Sequence, residues 1–65
     1  MSETTKVIQY LLKRCQDERL RLSEVIGQGL AKDHADYRYQ CGVIRGIIIV
    51  EEMLSDTAER LEDYE

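Results

Sequence analysis

Residues 25–36 read VIGQGLAKDHAD, and the reading of this stretch decides the fold. Gly27-Gln28-Gly29 closes one helical pattern. Asp33, with Asp36 three residues on, resembles a capping box in which Asp replaces the usual Glu. Elsewhere the chain has little punctuation and no Pro. One helix is therefore expected to end near Gly27 and another to begin near Asp33.

Upstream, Ile8, Leu11, Leu12, Cys15, Leu22, Val25 and Ile26 recur at helical steps. Ser2, Thr4 or Thr5 can cap the start, because a hydroxyl there accepts from a first-turn amide. The stripe has a flaw: between Cys15 and Leu22 the core step lands on Glu18 or Arg19. Downstream, Tyr37, Cys41, Ile44, Ile48, Ala58 and Leu61 form one stripe, widened by Val43, Ile47, Val50 and Leu54. The β-branched run Ile47-Ile48-Ile49-Val50 could suit a strand, but nothing else has period two to pair with it.

The expected fold is all-α: a single domain over residues 1–65, with helices at about 4–27 and 33–62 joined by a glycine loop at 27–32. A short connection makes the helices antiparallel neighbours. If the loop centres near Gln28, Cys15 faces Cys41; if it centres near Leu30, Cys15 faces Arg45. A hairpin encloses no core. Ile47, Ile49 and Val50 span about 300° of the helix surface and cannot all face one neighbour. Each wet apolar side chain forgoes roughly 1.5–3 kcal/mol. The hairpin is thus expected to be completed by self-association or by docking on a larger protein.

Composition narrows the function. With 65 residues the chain has room for one small domain and no substrate cleft. The net charge is −4. Seven acids lie in residues 51–65 against one base, Arg60, while residues 1–50 carry a small basic excess. The longest apolar stretch, Val43 to Val50, is broken by Arg45 and Gly46, so a membrane span is not expected. Glu3, Lys6, Lys13 and Arg14 stand where a secretory signal needs apolar residues. Cys15 and Cys41 make no disulfide framework, and both are expected reduced.

Catalytic, metal and cofactor sites are not expected. His34, Cys15 and Cys41 are the soft metal ligands present, and a structural zinc site needs four, usually in close pairs. No phosphate-binding glycine motif occurs, and a lone His with two Cys lacks an orienting third group. Gly42 and Gly46 form G-x-x-x-G, and each costs about 1 kcal/mol relative to Ala in a helix. Close approach of another backbone would offset that cost. The expected protein interface is Tyr37, Cys41, Gly42, Ile44, Gly46, Ile47, Ile48, Val50 and Leu54. Lys13, Arg14, Arg19 and Arg21 form a basic cluster that could contact a charged partner. Net acidity argues against general affinity for nucleic acid.

The string GLAKDHADYRYQCGVIRGI at 29–47 resembles a segment of small helical-hairpin proteins of tailed bacteriophages. These combine a G-x-A-K-D loop with a helix reading Y-x-x-x-C-G-x-I-x-G. The matching residues are Gly29, Ala31, Lys32, Asp33, Tyr37, Cys41, Gly42, Ile44 and Gly46. The resemblance implies a phage protein found in the virion or the host cytoplasm. It also implies a structural role in the capsid or at the portal and head-to-tail connector, with itself or a larger phage protein as partner. It brings no catalytic or ligand-binding residues. A second resemblance is to plasmid copy-number regulators of the Rop type, on Asp33-His34-Ala35-Asp36 followed by Cys41. It implies the alternative role of a small regulatory binder, either an RNA-binding four-helix bundle or an inhibitor of a host protein. The first helix does not match the RNA-binding face of those regulators.

Overall fold

The computed structural model describes residues 2–64, with the backbone alone at Tyr64. Among the described residues there are two helices, α1 (Glu3–Gly27) and α2 (His34–Tyr64). They lie along each other as an all-α hairpin, 48 Å in its longest dimension. That matches the rise of 31 residues in α2 at about 1.5 Å each. The 47–50 run is helical throughout.

Local chemistry sets each boundary. At the start of α1 the Thr5 amide donates to Ser2 Oγ at 3.2 Å, which selects Ser2 among the three candidate caps. At its end, the Gly29 amide donates to the Ile26 carbonyl at 2.9 Å and the Leu30 amide to the Val25 carbonyl at 3.2 Å. These are the two bonds of a Schellman ending, which needs a left-handed residue at Gly29. Gly29 has φ +73°, a conformation its missing Cβ makes cheap. At the start of α2 the Asp36 amide donates to Asp33 Oδ1 at 2.7 Å. Asp36 Oδ2 accepts from the Lys32 amide at 2.9 Å. The reciprocal box is present, but it reaches back one residue further than the usual pattern.

The helices meet along a regular seam. On α1 it runs through Thr5, Ile8, Leu12, Cys15, Arg19, Leu22 and Ile26, each buried or half-buried. On α2 it runs through Gln40, Ile44, Ile47, Glu51, Leu54, Ala58 and Leu61, all half-buried. Both series alternate steps of three and four, the repeat of two helices wound together. Tyr37, expected on the α2 stripe, is 43% exposed instead. Cys41 and Ile48 are half-buried on the flank beside Ile44, because the seam follows the three-four alternation and leaves them one step off its centre.

The flaw in the α1 stripe is filled by charge. Arg19 Nε donates to Glu51 Oε2 at 2.7 Å, and Nη2 to Oε1 at 3.3 Å. Arg19 and Glu51 therefore form one polar layer inside the apolar seam. Among the described residues no hydrophobic side chain is fully buried. Two helices shield each other on one side only, so every apolar seam residue keeps an edge in water.

Candidate interaction surface

The surface is built from what the seam leaves uncovered. On α1, Val7, Leu11, Arg14 and Glu18 follow one another at steps of four, three and four. They therefore share a face beside the seam. On α2, Val43, Gly46, Ile47 and Val50 are mutual neighbours at three and four residues. A shallow groove of about 300 Å³ joins the two faces, lined by Leu11, Arg14, Cys15, Glu18 and Ile47. Cys15 and Ile47 share its wall, and with the Arg19–Glu51 contact this sets α2 further along α1 than either turn centre expected from the sequence. Both cysteines are free and half-buried.

Eight of the nine residues of the expected interface divide three ways, and Gly42 stands apart from them. Ile44, Ile47 and Leu54 belong to the seam and are partly consumed by contact with α1. Gly46 and Val50 lie on the groove flank, where Val50 is 44% exposed. Tyr37, Cys41 and Ile48 lie beyond the seam on its other flank. Tyr37 stacks on His34 with ring centres 6.2 Å apart. A hydrogen bond with the Cys41 side chain raises its phenol pKa above 10.0. Gly42 and Gly46 are exposed, and a Cβ built on either would meet nothing within 4 Å. Close approach to α1 is thus not what these glycines serve. Leu11, 44% exposed at the groove, was not among the expected interface residues. Its spacing groups it with the α1 core stripe, whereas its step of three to Arg14 places it on the groove face.

The basic cluster is largely neutralised by its own helices. Lys13 Nζ lies 2.6 Å from Asp17 Oδ1. Arg21 Nε donates to Glu18 Oε2 at 3.2 Å, with a second contact from Nη2 to Oε1. The Arg21 hydrogen bond holds the Glu18 carboxyl below its ordinary 4.5, against a smaller upward push from desolvation. Arg19 is taken by Glu51. Arg14 alone of the four makes no ion pair among the described residues.

Among the described residues, no group of three or more His, Cys, Asp or Glu could hold a metal ion, and no helix is long and apolar enough to cross a membrane. No family model, no curated protein and no solved structure matches the chain.

Proposed function

We propose that this chain is a small non-enzymatic structural protein of a tailed-bacteriophage virion. It acts at the capsid or at the portal and connector by packing its apolar helix faces on other protein. The observation that carries the packing role is the hairpin's lack of any fully buried hydrophobic residue among those described. Apolar surface worth roughly 25 cal/mol per Å² stays available for a partner. The phage assignment rests on the resemblance at residues 29–47. The rival role of an RNA-binding regulator needs free cations on one face. Here Lys13, Arg19 and Arg21 are each engaged by a carboxylate, which favours apolar docking over phosphate contact.

The test is to purify particles of the phage that encodes the chain on a density gradient. The expected result is the chain in full particles at a fixed copy number, reduced severalfold by Leu11→Glu. A chain recovered wholly outside the particles would overturn the virion role.

A further inference from the structure

The side of α2 turned away from the seam carries an ordered stripe of charge. Arg38, Arg45, Glu52 and Glu59 follow one another at steps of seven, two bases and then two acids. That repeat keeps all four on one line along the helix. All four are exposed, and none makes an ion pair among the described residues. None has an opposite charge three or four residues away, so α2 itself cannot pair them. Beside the stripe, Tyr39, Gly42, Gly46, Ile49 and Met53 recur at steps of three and four, and every one of them is exposed. The large members of this row are apolar, with Met53 62% exposed, and both glycines have open space above them. Val43 and Val50 border the row on the side away from the charges.

We propose that this outer face binds a second copy of the chain, α2 against α2 in antiparallel sense across a two-fold axis. The charges select both the partner and the register. An occupant must offer two acids and then two bases where the stripe offers two bases and then two acids. A second α2 running the opposite way does so, because a two-fold contact matches a surface to itself. Arg38 of each copy then meets Glu59 of the other, and Arg45 meets Glu52. Sliding the helices by seven residues sets Glu52 against Glu52 in one direction and Arg45 against Arg45 in the other, so like charges reject those registers. The chosen register also seats the apolar row. Ile49 of one copy lies over Gly46 of the other and Met53 over Gly42, filling the open space above both glycines. On the far rim Val43 meets Val50. The charge stripe is centred between Ile48 and Ile49 and the apolar row between Ile47 and Ile48, so one axis serves both to within about 1.5 Å. All of these contacts come from α2, and the register of the hairpin does not enter. The dimer rests on the apolar-packing part of the proposed function and names its first partner.

The experiment is light scattering after size exclusion on the full chain at micromolar concentration. The expected mass is twice the 7.6 kDa of one chain. Arg45→Glu and Glu52→Arg each set like charges opposite one another on both sides of the axis, and each is expected to weaken the dimer roughly tenfold. An equimolar mixture of the two is expected to regain the wild-type mass, since the reversed charges then pair between the copies. Ile49→Glu, on the outer face and clear of the seam, is expected to give a monomer with unchanged helical circular dichroism. Leu11→Glu, which lowers particle association, lies on the groove and is expected to remain a dimer, so failure of the dimer and failure of the virion role are seen separately. The proposal is overturned by a monomeric wild-type chain, by charge variants that dimerise as the wild type does, by a mixture that does not recover, or by a monomeric Leu11→Glu chain.

Discussion

The Arg19–Glu51 pair occupies a position where every neighbouring seam layer is apolar or small. The side-chain exposures are 31% and 13%, so the pair is far less wet than the exposed Arg60–Asp56 pair. Its two hydrogen bonds make it side-on and directional. A half-desolvated pair of this kind fixes register better than it adds stability. Removing one partner leaves the other charge unmatched, whereas removing both in favour of apolar side chains restores an ordinary layer. Glu51→Ala should therefore lower the melting temperature by several degrees. Asp56→Ala, which breaks an exposed pair one turn apart, should cost only about 0.3–0.5 kcal/mol. Arg19→Leu with Glu51→Leu should melt at or above the wild type. Thermal scans of the three variants decide the matter, and a double variant less stable than Glu51→Ala would reject this account.

At the scale of the element, helix boundaries were legible because their causes are local. Ser2, Gly29 and Asp33 each act within four residues of themselves, and a sequence displays such neighbours directly. The seam was less legible. Its polar layer joins residues 32 apart, and which residues meet depends on the register set by the turn. The step of four from Tyr37 to Cys41 fits a helix period, yet the three-four alternation of the seam starts at Gln40 and leaves Tyr37 outside. The cap of α2 also carries a pH signature. The Lys32 amide, then the Gln40 side chain, hold the Asp36 carboxyl below its ordinary 3.8. A lowered folded pKa contributes stability that is full above the ordinary value and is lost as pH falls through the lowered one. Glu18 behaves likewise from its ordinary 4.5. The melting temperature should stay level from pH 7 to about 5 and fall in acid, and Asp36→Asn should flatten part of that fall. At pH 7, Asp33→Ala should cost about 1 kcal/mol through the lost cap, seen as a drop of about 4–8 °C. An Asp33→Ala chain that melts with the wild type would show the box to be idle.

At the scale of the whole molecule, stability and assembly should respond in opposite directions to the same change. Gly46 is exposed, and a side chain added there meets nothing in the hairpin. Replacing a mid-helix Gly with Leu improves helix propensity by about 0.8 kcal/mol. A dilute, monomeric Gly46→Leu hairpin should therefore melt about 3–6 °C above the dilute wild type. At high concentration the order should reverse. The wild-type melting temperature should climb with concentration, because association stabilises only the folded form. The variant should not climb if the open space above Gly46 admits a partner helix, because Leu at this position fills it. Melting both chains by circular dichroism over a hundredfold range of concentration should give two lines that cross. Parallel lines would mean that Gly46 faces water in every state of the protein. A wild-type line without slope would mean that the exposed flank is covered by another protein and not by a copy of this one.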